Sequence, residues 1–271
     1  MPYPYEDPAP RFRIAVAGDI GHAGARLDAT GAAVARLGAD RPYDALLLLG
    51  DHAYPRGDPQ QLDRTVFRPF ADVLAANTRL LAVLGNHDVL DDHGDAQLHA
   101  LGQPARWWSA TFGELLLVGL DSNPPVPTAQ LEFLERTLAD STARWRVVAL
   151  HHPPYSAGYQ GSHLATRRLF APIFARHRVQ LVLSAHDHDY QRSRPIDGVT
   201  YLVTGGAAQA RFTAARSFTA VSYRVRHFVE VAVFADRLVV RGIDQQGRVF
   251  DEVVVPERTS ELMRDTGVNA S

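Results

Sequence analysis

Six short apolar runs, at residues 12–17, 45–49, 80–84, 115–120, 147–150 and 179–183, set the limits on what this chain can become. Each has the length of a buried strand and is stopped by a polar group. The stops are Gly18-Asp19, Gly50-Asp51, Gly85-Asn86-His87-Asp88, Asp121, His151-His152 and, after Ser184-Ala185, His186-Asp187-His188. Between the runs lie segments with helical spacing at 30–37, 60–76, 128–138 and 164–176. Thr128 is placed to cap the third of these helices, and Pro172 predicts a kink or an early end in the fourth. Strands alternating with helices imply an α/β architecture with a largely parallel or mixed sheet. Three β-rich runs at 227–255, with turn signals at Ala235-Asp236 and Gln246-Gly247, predict an antiparallel finish.

In open α/β sheets ligands sit outside the carboxyl ends of the strands. Five of the six stops, those with Asp19, Asp51, Asn86-His87-Asp88, His151-His152 and His186-Asp187-His188, are groups that can bind a hard or borderline metal, so successive loops would converge on one rim. Two histidines two apart on an extended segment, as in His186-x-His188, face the same side. The donor set lacks sulfur and suits Mn, Fe, Zn or similar ions. It is too large for one tetrahedral ion, and two ions about 3.5–4 Å apart, bridged by a carboxylate, fit better.

Composition removes other chemistries. The chain has no cysteine and no lysine, all 28 basic residues being arginine. Thiol nucleophiles, zinc–thiolate sites, Schiff bases and the P-loop lysine are therefore excluded. A net charge of −2 with mixed signs argues against a nucleic-acid partner. No apolar run approaches the roughly 20 residues that span a bilayer, so no membrane insertion is expected. Residues 1–10 hold four prolines and no apolar core. They read as an extended lead-in without a secretory signal, which points to a cytoplasmic protein or to one whose leader has been lost. Residues 11–257 read as one domain and 258–271 as a tail.

The ordered set Gly18-Asp19, Gly50-Asp51, Gly85-Asn86-His87-Asp88, His151 and Ala185-His186-Asp187-His188 resembles the five motifs of the calcineurin-like metallophosphoesterases. The likeness extends over about residues 11–255 and includes Trp107-Trp108-Ser109, Leu120-Asp121-Ser122 and Thr204-Gly205-Gly206. Most of that superfamily has Asp-x-His in the first motif, whereas position 21 here is Gly and the histidine comes one place late, at His22. Gly50-Asp51-His52-Ala53-Tyr54 resembles the Gly-Asp-x-x-Tyr of purple acid phosphatases, as does the run from His186 to Arg192. Asp88 stands where that branch often has Glu, and Ala185 replaces a common Gly.

The resemblance implies a β-sandwich of two mixed sheets flanked by helices, a four-layer αββα fold. It implies one metal held by Asp19, Asp51, Tyr54 and His188, and a second held by Asp51, Asn86, His151 and His186. The metals would be Fe(III) with Fe(II), Mn(II) or Zn(II), ferric iron acidifying the Tyr54 phenol. The alternative is that Tyr54 only packs at the rim and His22 completes the first site. His87 matches the histidine that contacts the phosphate and assists the leaving group, while His152 and His163 are either substrate contacts or surface residues. The loops 157–163 and 207–218, with Tyr159, Gln160, Arg211 and Arg216, would shape access. The expected activity is direct hydrolysis of a small-molecule phosphate monoester, two cations shielding its oxygens and acidifying the attacking water. A phosphodiesterase on the same scaffold is the runner-up, and a non-catalytic binding module is the third possibility.

Overall fold

A computed structural model describes residues 9–257. The expected tail at 258–271 and all but the end of the proline-rich lead-in lie outside the described residues.

Among the described residues thirteen strands form two mixed sheets. The first contains β1 (Phe12–Ala17), β2 (Ala45–Leu48), β3 (Arg79–Ala82), β11 (His227–Val233), β12 (Leu238–Asp244) and β13 (Val249–Val255), in the order β13-β12-β11-β1-β2-β3. β1, β2 and β3 are parallel neighbours, and the last three strands form the expected antiparallel finish. The second sheet contains β4 (Trp108–Phe112), β5 (Leu115–Gly119), β6 (Trp145–Ala149), β7 (Leu181–Ser184), β8 (Tyr190–Ser193), β9 (Thr200–Thr204) and β10 (Thr219–Tyr223). Their order is β10-β8-β9-β7-β6-β5-β4, with β5, β6, β7 and β9 parallel.

Side-chain alternation sorts the strand residues into layers. One face of each sheet meets the other through Ile14, Val16, Leu47 and Leu81 against Leu117, Val147, Leu181 and Leu183. On the outer face of the first sheet, Ala15, Leu46 and Leu48 pack with Val34 of α1 (Ala25–Gly38) and with Phe70 and Val73 beside and within α2 (Ala71–Ala75). On the outer face of the second, Leu116, Val118, Val148 and Val182 meet Leu134 and Leu138 of α4 (Thr128–Ala139) and Phe170 and Phe174 of α5 (Leu164–Arg176). Strands buried on both faces explain the unbroken apolar runs in the sequence. The layers read helix, sheet, sheet, helix.

Several local expectations change. The segment 60–76 is not one helix: it divides into a 3₁₀ turn at Pro59–Gln61, a π turn at Asp63–Phe67 and α2. Arg68 keeps helical backbone, but Pro69 has no N–H to give, and the chain leaves helical geometry at Phe70, with φ −109° and ψ 17°. α1 lies close against this break, since a Cβ on Gly31 would meet the Pro69 carbonyl. Helix α5 runs through Pro172 to Arg176 without ending early. Pro127, not Thr128, occupies the cap position of α4, and no side chain caps it. A further helix, α3 (His93–Ala100), follows the third motif. Among the described residues no helix is long and apolar enough to cross a membrane.

Candidate metal centre

The loops after β1, β2, β3, β6 and β7 meet at one end of the two sheets, and their donors form two nests. In the first, Tyr54 Oη lies 3.0 Å from Asp19 Oδ1, 3.0 Å from Asp51 Oδ2 and 3.1 Å from His188 Nε2. His188 Nε2 is 3.3 Å from Asp19 Oδ1. In the second, His151 Nε2 lies 3.1 Å from Asn86 Oδ1, 3.2 Å from His186 Nδ1 and 3.6 Å from Asp51 Oδ2. Asp51 Oδ2 thus belongs to both.

Backbone conformation aims these donors. Asp19, Asp51 and His186 all adopt left-handed backbone, with φ of 54°, 53° and 71°. Non-glycine residues seldom do so, and such strain collects at functional sites. Gly85 permits the close approach of two loops, because a Cβ there would fall 2.2 Å from Asp51 Oδ1. Asp19 Oδ2 accepts the His186 N–H at 2.8 Å, tying the first loop to the last.

The donor chemistry fits cations. His151 Nδ1 donates to the Leu49 carbonyl at 2.7 Å, so in the neutral ring the bare Nε2 faces Asn86 Oδ1, itself an acceptor. In the first nest a single phenolic proton serves two carboxylates and an imidazole nitrogen. Lone pairs outnumber protons in both nests, as a cation site requires.

The local field agrees. Burial works against charge on Asp19, yet His188, His151 and His186 outweigh it and hold that carboxyl below its ordinary range. Asp51 is pushed up by burial and by the charges of Asp19 and Asp88. Burial and the same two nest carboxylates hold the Tyr54 phenol strongly protonated, so a phenolate there needs a neighbouring cation. Burial lowers His186 to about 3, with His151 adding to the effect, which leaves a neutral ligand. On His151 burial is overcome by Asp51 and Asp19, and its pKa rises.

The remaining candidates surround the nests. His22 stacks on the Tyr54 ring at 4.3 Å between centroids, so the tyrosine oxygen and not the His22 ring stands among the donors. His87 lies edge-on to Tyr54 at 4.7 Å, and its Nδ1 donates to the Pro55 carbonyl at 2.6 Å. His152 packs against His186 at 4.8 Å and His163 at 4.6 Å, extending the second nest into a row of imidazoles. Burial, helped by His151 and His186, pushes His152 far below its ordinary range, and burial also lowers His163.

Sequence reasoning missed the supporting layer. Wholly buried Asp88 accepts the N–H groups of Asp51 (2.7 Å), His52 (2.8 Å) and Gly85 (2.8 Å), joining the second and third motifs. Its carboxylate also lies 3.1 Å from His52 Nδ1, which pairs with Gln97 Oε1 at 2.9 Å. Asn123 Nδ2 donates to the Leu84 and Gly85 carbonyls, while Ser122 Oγ accepts the His152 N–H and lies 2.9 Å from its Nδ1. Asp121-Ser122 at the fourth strand end was the available signal, since that stop has the form of the others without supplying a metal donor.

Known proteins resemble this chain to differing degrees. Purple acid phosphatase 17 of Arabidopsis thaliana is 27% identical over 207 residues, covering 64% of this chain and 60% of that protein. The chain thus spans about 60% of the length of this relative. A purple acid phosphatase from yellow lupin superposes with a TM-score of 0.81 at 19% identity, over 94% of this chain and 56% of that one. GAP50, the anchor in the inner membrane complex of Plasmodium, superposes at 0.79 with 16% identity, over 92% and 89%. These two structures share the fold. Residues 12–190 match the family model for calcineurin-like phosphoesterases, and the chain belongs to that family.

Proposed function

We propose that this protein hydrolyses small-molecule phosphate monoesters at a dinuclear metal centre of the purple acid phosphatase type. Asp19, Asp51, Tyr54 and His188 would hold one ion, probed first as ferric iron, and Asp51, Asn86, His151 and His186 a second, Fe(II), Mn(II) or Zn(II). The sharing of Asp51 Oδ2 by both nests carries this reading. Bound there, the ions would neutralise the phosphate oxygens and acidify the attacking water.

The chain's own groups do the rest. His87 Nδ1–H is committed to the Pro55 carbonyl, so the second ring nitrogen is the one free to carry a catalytic proton. As water forms the new P–O bond and the ester P–O bond breaks, the imidazolium form of His87 would give its Nε2 proton to the departing alkoxide and be left as the neutral ring with Nδ1–H on Pro55. The buried, neutral His152 and the neutral His163 can offer N–H groups to phosphate oxygens without competing for a cation. An anchor among the solved neighbours means that the fold alone does not separate enzyme from scaffold. A donor at every required strand end favours the enzyme.

The test is turnover of 4-nitrophenyl phosphate against its bis-ester from pH 5 to 9, on protein loaded with Fe, Mn or Zn. Preference for the monoester supports the reading. Preference for the diester replaces it with a phosphodiesterase, and absence of turnover with every metal overturns the enzyme assignment.

A further inference from the structure

Three consecutive backbone carbonyls, those of Pro55, Arg56 and Gly57, each accept a hydrogen bond from a side chain of the segment that follows β3. Pro55 accepts from His87 Nδ1 at 2.6 Å, Arg56 from His93 Nδ1 at 2.8 Å and Gly57 from Gln97 Nε2 at 2.8 Å. The residue before them, Tyr54, reaches the first nest and meets the His87 ring edge-on. One short strip therefore carries a proposed ligand and the carbonyl that holds the His87 ring.

Further contacts press this strip onto residues 87–97. Gly57, with φ of 70°, lies so close that a Cβ would fall 2.6 Å from the His87 carbonyl oxygen and 2.7 Å from Asp88 Cα. The Arg56 guanidinium pairs with both carboxylate oxygens of Asp91. Asp91 and Asp92 adopt left-handed backbone, with φ of 52° and 59°, immediately before His93 opens α3. Two such non-glycine residues in succession are costly. The turn they make delivers Asp91 and His93 to one residue, Arg56.

Exposed ion pairs and hydrogen bonds add little to folding stability, so their convergence beside His87 has another use. The Pro55 carbonyl lies in the planar peptide that ends at Arg56 Cα. Fastening the next carbonyl and the Arg56 side chain therefore fixes where the Pro55 oxygen points. That oxygen in turn takes Nδ1–H of His87 and leaves Nε2 for proton transfer. A general acid has to lie within hydrogen-bond reach of the oxygen it protonates, so the direction of this ring matters.

We propose that His93 is a positioning residue for the leaving-group acid, holding the Arg56 carbonyl so that the Pro55 carbonyl keeps His87 in one tautomer and one orientation. The catalytic part of this rests on the phosphoesterase reading above. The Arg56–Asp91 pair is the outer fastening of the same strip.

The experiment measures kcat and KM for 4-nitrophenyl phosphate and glycerol phosphate in metal-loaded wild type, His93→Ala and His93→Asn. His87→Ala and the double variant His87→Ala/His93→Ala complete a cycle. The Asn amide places an N–H close to where His93 Nδ1 stood. His93→Ala should lower kcat for glycerol phosphate about tenfold, leave KM unchanged and affect the 4-nitrophenyl ester less, because that leaving group departs without a proton. His93→Asn should restore the rate. In the His87→Ala background the second change should have no further effect, which a merely structural residue would not show. Equal losses on both esters, additive losses in the cycle, or no rescue by Asn overturn the proposal. Nitrogen-15 histidine spectra of metal-free protein read the same point without turnover. His87 should be the Nδ1–H tautomer in wild type and His93→Asn, and a mixture in His93→Ala. An unchanged tautomer in His93→Ala overturns the proposal. A mixture that Asn corrects, in protein that hydrolyses nothing, sustains the positioning of His87 while the phosphoesterase reading fails.

Discussion

Tyr54 Oη and Asp51 Oδ2 lie 3.0 Å apart, and among the described residues the phenol is the O–H donor that the Asp19–Asp51 carboxylate pair meets in the first nest. Replacing Tyr54 by Phe leaves two buried carboxylates without that donor, which costs about 1–3 kcal/mol in metal-free protein. It also removes the proposed phenolate ligand. Metal-stripped Tyr54→Phe should melt below stripped wild type, and ferric ion should give it no visible phenolate absorption band. Manganese or zinc at 100 times its dissociation constant adds about 2.7 kcal/mol to the wild type, a rise of roughly 5–10 °C for a chain of this size. An unchanged ferric spectrum in the variant takes Tyr54 out of the ligand set.

Asp88 sets the position of Asp51 through its backbone. Asn at 88 keeps the shape but presents one acceptor oxygen to three N–H groups and removes the charge beside His52, whose pKa the Asp88 carboxylate raises against the effect of burial. Breaking one partner of a buried charge pair costs about 3–5 kcal/mol. Asp88→Asn should therefore lower the unfolding free energy by that amount, read as a lower urea midpoint at unchanged slope, and weaken metal uptake, read by elemental analysis. A variant that matches the wild type in both would show that Asp88 contributes no more than shape.

What was legible follows from burial. Runs such as Leu46-Leu47-Leu48 are covered on both faces, so they announce strands, and the Gly-Asp stops announce the loops that hold donors. β4 and β8 escaped because Trp108-Ser-Ala-Thr-Phe and Tyr190-Gln-Arg-Ser mix polar with apolar residues. Their stability depends on partners far away in sequence, as when Tyr190 Oη donates to Asp251 at 2.6 Å. Asp187 and Asp88 were visible as motif letters, but their work is to accept N–H groups across loops, which spacing does not reveal. The helix break at Pro69 was readable in principle; the apolar periodicity on either side of it concealed the missing N–H.

His227 sets an acid limit on stability away from the metal donors. It is completely enclosed, accepting from Thr204 Oγ1 at 2.9 Å and donating to the Val225 carbonyl, and burial pushes it down to about 4. The unfolded chain binds this proton from about pH 6.5 downward. The folded protein refuses it until about pH 4, so the stabilising contribution is present above pH 6.5 and is lost as pH falls between those values. The full span corresponds to about 3 kcal/mol. His227→Gln should be less stable than wild type at pH 8, and its urea midpoint should fall less steeply between pH 6.5 and 4. Parallel curves for the two proteins would mean that the folded protein accepts the proton as readily as the unfolded chain.

His87 separates binding from turnover. Its backbone N–H donates to Asp51 Oδ1 at 2.9 Å, an interaction that alanine at 87 retains, while its ring lies outside both nests. His87→Ala should thus keep its metal content and its unfolding temperature while losing the acid for the leaving group. Removing a general acid typically costs about 10²–10⁴-fold, and the loss should be in kcat. It should also depend on the leaving group: 4-nitrophenolate departs readily without a proton, so its ester should suffer least, and an alkyl phosphate should suffer most. Equal losses on both esters, with metals retained, would assign His87 to phosphate binding and leave the leaving group to another donor.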